Sequence, residues 1–302
     1  GQVYYNTTSN ALKLTKPSIP AGTWSAGGSL NTARNPSGAM SGVSVSACLN
    51  MGGPAVPTPV ANVEQYNGTS WTEIADLNQG RENAMSSSSG PTTATLFIGG
   101  SYSPGALTEQ FNGTSWTEVN DLNDSGGQGC GVGTEAAALI FGGAYVDRCE
   151  TWNGTSWTVA SALNEDKGNL AGFGFQTAAS AVGGRSPTAS PAILANVEAW
   201  DGSSWSETTN LNTGKSESGS TGSSPTSGLV YGGAAAPGDT ATTEYWNGSS
   251  WTEVGDLANA GSRISCYLGA SSTATIVPYQ TSPSLTTEEW NAPIANETVT
   301  VS

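Results

Sequence analysis

Six glutamates recur at one position of a repeated stretch of the chain, each two residues before an aromatic side chain. They are Glu64, Glu109, Glu150, Glu198, Glu244 and Glu288. A ring of carboxylates could hold a cation, because hard metal ions prefer oxygen ligands. A repeated ion pair, or a hydrogen bond to a neighbouring backbone, explains the same pattern. We favour this structural role because a symmetric scaffold needs the same residue in every unit, whereas a catalytic site breaks symmetry. No metal site is expected.

Basic residues recur upstream of the glutamates in most units. They are Arg34, Arg81, Lys167, Lys215 and Arg263, and the third unit has Gly126-Gly127-Gln128 instead. One interpretation pairs each cation with a glutamate in a partly buried groove, where a charge-assisted contact is stronger than at the surface. The other places a basic ring at the mouth of a channel, where it captures an acidic sugar or another carboxylate. The candidate ligand-binding residues are then Arg34, Arg81, Lys167, Arg185, Lys215 and Arg263.

The absence of histidine excludes several kinds of site. Ser-His-Asp and Cys-His catalysis, Cys-His zinc sites and His-ligated copper or iron all need this residue. The cysteines show no CxxC spacing, and we expect them to be small buried apolar residues. They are Cys48, Cys130, Cys149 and Cys266. We expect no cofactor.

Two groups of unrepeated charged residues are the nearest candidates for a glycan-processing enzyme. They are Asp147-Arg148 and Glu165-Asp166-Lys167. A sialidase needs an arginine cluster and a tyrosine nucleophile with a carboxylate neighbour. Its turn motif has Asp where this chain has Asn in every copy except Asp201. We expect no enzymatic activity, with a propeller-fold lyase or glycosidase as the alternative.

The elements that position these residues are predicted by a phrase that returns along the chain. Tyr66-Asn67-Gly68-Thr69-Ser70-Trp71 is repeated with small changes, and tryptophans recur at intervals of 41 to 48 residues, a period typical of propeller blades. Asn-Gly between two β-prone runs predicts a hairpin with a type I′ turn. Apolar runs that end in Gly-Gly predict buried strands upstream. The repeated tryptophans, to which we assign a structural role, are Trp24, Trp71, Trp116, Trp157, Trp205 and Trp251.

This order of apolar strand, Gly-Gly, glutamate with an aromatic residue, short turn and tryptophan resembles the kelch repeat, a four-stranded propeller blade. The resemblance implies an all-β, six-bladed β-propeller over residues 22–291. An N-terminal extension or hairpin over 1–21 and a C-terminal tail over 292–302 flank it. The sixth unit lacks its own tryptophan strand, so we expect residues 22–31 to complete the blade of residues 262–291 and close the ring. Kelch propellers serve enzymes, scaffolds and adhesins, so the fold alone does not give the function.

The recurring Asn-Gly-Thr-Ser-Trp wording, together with residues 2–14, is similar to appendage and tail-fibre proteins of phages, marine ones in particular. This resemblance implies a non-enzymatic structural or attachment module, extracellular or on a virion surface, that binds a cell-surface glycan or another appendage protein. An intracellular interaction scaffold is a further alternative. A net charge of −15 would repel nucleic acid and anionic membranes, and no stretch is apolar enough to span a bilayer. Neither is an expected partner, and the oligomeric state stays open.

Strand order predicts which face of the ring binds. In a four-stranded meander, the connections from second to third strand and from blade to blade lie on one face, here called the loop face. The short Asn-Gly turns lie on the opposite face, here called the turn face. The loops between second and third strands are irregular, and such loops on a rigid scaffold are where recognition usually resides. We therefore predict binding on the loop face, where residues 185–196 form the longest loop.

Overall fold

The computed structural model of the chain describes residues 3–9, 11–17, 21–34, 38–54, 58–101, 105–262, 267–278 and 285–299. Within these ranges every strand belongs either to one of six blades around a common axis or to a small sheet at the chain ends. This arrangement is an all-β, six-bladed β-propeller, which confirms the predicted fold class. Among the residues described, no helix is long and apolar enough to cross a membrane.

The chain begins with a hairpin and an isolated strand, and five meanders of four strands follow. The first three strands are β1 (Val3–Asn6), β2 (Ala11–Pro17) and β3 (Thr23–Ala26). The first blade contains β4 (Ala39–Ser44), β5 (Ala47–Met51), β6 (Val63–Tyr66) and β7 (Trp71–Glu73). The second contains β8 (Met85–Ser86), β9 (Thr95–Ile98), β10 (Thr108–Phe111) and β11 (Trp116–Val119). The third contains β12 (Cys130–Gly133), β13 (Ala138–Phe141), β14 (Cys149–Trp152) and β15 (Trp157–Val159).

The remaining blades follow the same order. The fourth contains β16 (Ala171–Phe175), β17 (Ala178–Val182), β18 (Val197–Trp200) and β19 (Trp205–Glu207). The fifth contains β20 (Gly219–Ser224), β21 (Ser227–Tyr231), β22 (Thr243–Trp246) and β23 (Trp251–Val254). The chain ends with β24 (Tyr267–Leu268), β25 (Ala274–Pro278), β26 (Thr287–Asn291) and β27 (Ile294–Val299).

The sixth blade joins the two ends of the chain. β3 pairs with β26 in antiparallel register, which sets Trp24 opposite Trp290. β25 pairs with the other edge of β26, and β24, at the inner position, pairs in parallel with β20 of the fifth blade. The N-terminal strand therefore completes the last blade, as predicted, and covers a sheet edge that would otherwise be free to pair with another chain.

The two ends also form a small sheet of their own. β2 pairs with β1 on one side and with β27 on the other, so part of the region expected as a C-terminal tail is a strand. β1 is an edge strand, and its side chains Val3, Tyr4 and Tyr5 are exposed.

Neighbouring blades pack through aromatic side chains. The ring of Phe141 in the third blade meets Trp205 of the fourth edge-on, with 4.9 Å between centroids. Phe173 of the fourth blade approaches Trp251 of the fifth in the same way, at 6.3 Å. Edge-to-face contacts of this kind are favourable beyond the area they bury. The core therefore lies between the blades and holds them in fixed orientation.

The Asn-Gly hairpins differ from the predicted type I′ turns. Tyr66 pairs with Trp71, so the loop contains four residues rather than two. Only Gly68 has a positive φ, 92°, whereas a type I′ turn needs positive φ at both central residues. Asn67 instead accepts hydrogen bonds at Oδ1 from the backbone N–H groups of Thr69 and Ser70, at 3.0 and 2.9 Å. The type I′ prediction is wrong because the Asn side chain mimics a backbone acceptor.

The axis of the ring is closed near the turn face by a serine-rich segment that follows β8. The Ser88 carbonyl accepts hydrogen bonds from the N–H groups of Gly42 and Gly269, at 3.1 and 2.8 Å. The Ser89 N–H donates to the Gly133 carbonyl at 2.8 Å, and its hydroxyl to the Gly174 carbonyl at 3.4 Å. One segment thus contacts four other blades, which is possible only at the axis.

Candidate functional site

The repeated glutamates lie inside the ring, and four of them form buried ion pairs with cations from the preceding linker. The pairs are Arg34 Nη2 to Glu64 Oε1 at 3.0 Å, Arg81 Nη2 to Glu109 Oε1 at 2.9 Å, Lys167 Nζ to Glu198 Oε1 at 2.7 Å and Lys215 Nζ to Glu244 Oε1 at 3.4 Å. Burial lowers the pKa values of Arg34, Arg81 and Lys215, and the paired glutamates oppose that shift. Removing one partner of such a pair leaves the other charge buried without compensation, which destabilises the folded state.

This burial bears on the candidate ligand-binding set. The side chains of Arg34, Arg81, Lys167 and Lys215 have no exposed surface. Arg81 Nη1 also donates to the carbonyls of Gly99 and Leu107, both at 2.6 Å. The hypothesis of a basic ring at a channel mouth is not supported for these four, because their side chains are buried within the wall and each is paired with a glutamate. Arg263 lies outside the described residues, and Arg185 is exposed.

An asparagine of the linker also donates a hydrogen bond to each of these glutamates, and the sequence analysis did not predict it. The Nδ2 of Asn78 donates to Glu109 Oε2 at 2.9 Å and to the Trp116 carbonyl at 3.2 Å, while its N–H donates to the same Oε2 at 2.7 Å. The linker is thereby held against the third and fourth strands of the next blade. A Leu-Asn pair that recurs in the first five linkers was the available signal. The equivalent asparagines are Asn31, Asn78, Asn123, Asn164 and Asn212.

The third blade, which lacks a cation in its linker, takes one from a different position. Arg148, in the loop before β14, donates from Nε to the Gly142 carbonyl at 3.0 Å and from Nη1 to the Asp124 carbonyl at 3.2 Å. A Cβ at Gly126 would lie 2.5 Å from Arg148 Nη1, so glycine makes room for the guanidinium. Gly142 is the counterpart of Gly99, whose carbonyl binds Arg81.

The sixth blade also departs from the pattern. Ala258 stands where the other linkers have asparagine, and only its backbone N–H reaches Glu288, at 3.2 and 3.1 Å from the two carboxylate oxygens. All six glutamates are thus buried and bonded to a linker.

The repeated tryptophans tie each blade to the preceding one. The Nε1 of Trp116 donates to the Ala75 carbonyl of the first blade at 3.0 Å, and Trp157 Nε1 donates to the Thr108 hydroxyl of the second at 3.1 Å. Trp24 is half-buried and donates to the Thr243 hydroxyl of the fifth blade at 3.1 Å. The other five are buried, with 4 to 7% of their surface exposed. This geometry makes them structural residues rather than a ligand platform.

A row of four polar residues with left-handed backbone lies on the loop face, directly before the inner strands. The row comprises Asn83, Gln128, Asn169 and Glu217, with φ between 54° and 63°. Three of the four N–H groups donate to the carbonyl of the row residue in the preceding blade: Gln128 to Asn83 at 2.9 Å, Asn169 to Gln128 at 2.7 Å and Glu217 to Asn169 at 2.7 Å. We call these residues the left-handed row. Non-glycine residues in this conformation are strained, and such strain concentrates at functional sites.

A cluster of exposed and half-buried side chains adjoins the row between the third and fourth blades. Tyr145 and Val146 expose 37 and 39% of their surface, and the Tyr145 hydroxyl lies 3.4 Å from Asn169 Nδ2. Gly168 pairs with Arg185 through N–H to carbonyl bonds of 3.0 and 2.8 Å. A Cβ at Gly168 would lie 3.3 Å from Tyr145 Cδ1, so this glycine allows the ring to approach closely. We call Tyr145, Val146, Asn169 and Arg185 the Tyr145 patch.

The long loop of residues 185–196 is an ordered hairpin. The Ser186 N–H donates to the Ala192 carbonyl at 2.9 Å, which confines the tip to residues 187–191. Asn196, at its base, donates to Glu165 Oε2 at 2.8 Å and lies 3.4 Å from Lys167 Nζ. The base of this loop therefore belongs to the scaffold, and its tip is free to vary.

Three of the charged groups considered for catalysis are engaged in contacts with the scaffold. Lys167 is paired with Glu198, Glu165 is bound by Asn196, and Arg148 is held by backbone carbonyls. Within the described ranges no group of three or more His, Cys, Asp or Glu side chains is arranged to hold a metal ion. As expected, Cys48, Cys130 and Cys149 are buried, and they are in the thiol form; burial raises the pKa of Cys149 to about 12. Cys266 lies outside the described residues.

An open groove of about 390 Å³ lies between the second and third blades. It is lined by Glu118, Val119, Asn120, Trp152, Gly154 and Thr155. Asn120 Nδ2 donates to the Thr155 carbonyl at 2.8 Å, and Thr209 forms the equivalent bond to the Ser249 carbonyl at 3.2 Å. The hydrogen bond across this groove therefore recurs between other blades, so it belongs to the repeated scaffold.

Comparison with protein-family models finds no match to this chain, and comparison with curated proteins finds none either.

Proposed function

We propose that this protein is a kelch-like propeller that acts as a non-enzymatic attachment module and binds through its loop face. The observation that carries the proposal is the division between repeated and unrepeated charged groups. The repeated cations and glutamates are used inside the wall, whereas Tyr145 and Arg185 are exposed on one face, and the residues at the Arg185 position after the other Gly-Gly pairs are uncharged. A scaffold does not require such residues, so a binding role accounts for them.

The proposed location is extracellular or on a virion surface, and the proposed partner is a cell-surface glycan or another appendage protein. The recurring Asn-Gly-Thr-Ser-Trp turns, together with residues 2–14, support this assignment by their resemblance to appendage and tail-fibre proteins of phages. The rigidity of the site supports it further. Residues held by backbone bonds between blades lose little entropy when they bind, which favours adhesion to a fixed surface.

The experiment combines two changes on the loop face, replacement of the loop tip (residues 187–191) by a short Gly-Ser link and Tyr145→Ala, and measures binding to a glycan array and to intact cells. The link keeps Arg185 and Asn196, so the fold should stay intact and the melting temperature should change little. We expect reduced binding and no release of sugar products. The matched control is Phe175→Ser, at an exposed residue on the turn face. Unchanged binding in the combined variant, lost binding in the control, or turnover of any glycan would contradict the proposal.

A further inference from the structure

We propose that the Tyr145 patch binds a saccharide that carries a carboxylate group. This inference rests on the proposed function, because it names the ligand class of the loop face. The first observation that supports it is that Arg185 has no basic counterpart at the same position of the other blades with a Gly-Gly pair. Arg185 directly follows a Gly-Gly pair, and the residues at this position in other blades are Pro54, Ser101, Ala144 and Ala234. Arginine is therefore not needed to build the loop.

The second basis is charge. In a chain of net charge −15, four propeller cations are buried against glutamates, and Arg148 is held by backbone carbonyls. Arg185 is exposed and forms no ion pair within the part of the chain that the structure describes. A planar guanidinium matches a carboxylate through two parallel hydrogen bonds. The patch therefore presents its one strong anion-binding group to solvent.

The third basis is the chemistry beside Arg185. Asn169 follows Gly168, the backbone partner of Arg185, and the Gln128 carbonyl accepts from the Asn169 N–H at 2.7 Å. The carboxamides of these two residues can each donate and accept hydrogen bonds, as sugar hydroxyls require. The Tyr145 ring offers an apolar face and a hydroxyl at its edge. A protein partner is disfavoured, because the patch offers only Tyr145 and Val146 as apolar anchors, whereas a stable protein interface buries about 800 Å² per partner.

Nearby acidic residues narrow the ligand further. Asp147 and Asp166 are both exposed and adjoin Val146 and Lys167 in the chain. Their charge disfavours a densely charged polyanion, such as a sulfated polysaccharide, because like charges repel. A sugar with a single carboxylate, such as a uronate, can meet Arg185 at short range with a smaller repulsion, because it carries one charge.

The test uses two matched probes, oligosaccharides that contain galacturonate and the same molecules with the carboxyl groups reduced to alcohols. We expect the wild-type protein to prefer the first probe. Arg185→Gln should weaken its binding about 10- to 100-fold, the effect of losing a charge-assisted hydrogen bond, and should remove the preference. Lys13→Gln changes net charge equally but lies on the terminal hairpin, so it should leave binding unchanged. Tyr145→Ala should weaken both probes, while Tyr145→Phe retains the stacking surface.

Equal binding of the two probes, or wild-type affinity in Arg185→Gln with the melting temperature intact, would overturn the carboxylate assignment. If the wild-type protein binds neither probe and yet adheres to cells through the loop tip, the ligand is not a uronate, and this inference fails while the attachment function stands. If loop-tip replacement combined with Tyr145→Ala leaves adhesion unchanged, the proposed function itself fails. The two failures are thus distinguishable.

Discussion

Trp24 and Trp290 lie side by side across the strand pair that closes the ring, with their ring centroids 5.5 Å apart. Trp24 also meets Tyr231 of the fifth blade edge-on at 5.1 Å. The first strand of the propeller is therefore bonded to the last blade and packed against the one before it. This contact makes the N-terminal segment part of the structural ring.

Deletion of residues 1–31 should lower the melting temperature or cause aggregation, because it exposes the edge of β26. Deletion of residues 1–21 is the matched control, since it removes the terminal hairpin and leaves β3 in place. Thermal unfolding and size-exclusion chromatography distinguish the two variants. A monomeric protein with unchanged melting temperature after the longer deletion would contradict the closure described above.

Glu109→Ala should destabilise the protein by about 3–5 kcal/mol, because it leaves Arg81 buried without its carboxylate. Glu118 lies directly opposite Glu109 on the adjacent strand and is exposed. Glu118→Ala should therefore change the free energy of unfolding by less than about 0.5 kcal/mol. Chemical denaturation measures both. Equal effects of the two substitutions would show that the buried pair does not hold the wall together.

Cys149→Thr should stabilise the protein by about 0.5–1.5 kcal/mol, the net worth of a typical hydrogen bond. Trp205 Nε1 has no hydrogen-bond partner of normal geometry in the described chain and faces the Cys149 sulfur, a weak acceptor. In the second blade the same position is Thr108, whose hydroxyl accepts from Trp157. Chemical denaturation tests the gain, with Cys149→Val as the matched control without an acceptor. A variant with threonine no more stable than that with valine would contradict the explanation.

The carboxyl group of Asp201, in the hairpin turn of the fourth blade, should have an unusually low pKa. Hydrogen bonds from the Ser203 hydroxyl and from the Ser204 and Ser203 N–H groups lower its pKa to about 2. Since the folded pKa lies below the unfolded value, its contribution to stability is present above pH ~4 and is lost as the pH falls through about 2. Asp201→Asn, the residue of the other turns, should match the wild type at pH 7 and lose less stability in acid. Melting temperatures of both proteins from pH 7 to pH ~2 test this, and parallel curves would contradict it.

Much of the fold could be predicted from the sequence because the same pattern of strand and turn residues recurs in successive blades. The six blades and their closure by Trp24 follow from the spacing of one phrase. The turn type was missed because an Asn-Gly pair fits both the two-residue type I′ turn and the four-residue loop found in the structure. The second role of Asn67, as a side-chain acceptor for Thr69 and Ser70, selects the longer loop.

The candidate site was harder to predict because it consists of departures from the repeat. Nothing local in Gln128 or Glu217 favours a left-handed backbone, which bonds between blades impose on them. Arg148 replaces the missing linker cation from a loop in the same blade, a substitution that is visible only in three dimensions. The repeated residues thus identify the scaffold from the sequence, whereas the roles of the residues that depart from the repeat become visible only in the structure.

The most direct test of the loop-face account measures stability and binding together in Gln128→Gly. Glycine relieves the left-handed strain at φ 63°, so the free energy of unfolding should stay the same or rise by up to about 1 kcal/mol. The same variant loses a carboxamide from the binding face, so adhesion to a glycan array should weaken, while Phe175→Ser on the turn face binds as the wild type does. A stable Gln128→Gly protein with full binding, together with lost binding in Phe175→Ser, would contradict the account.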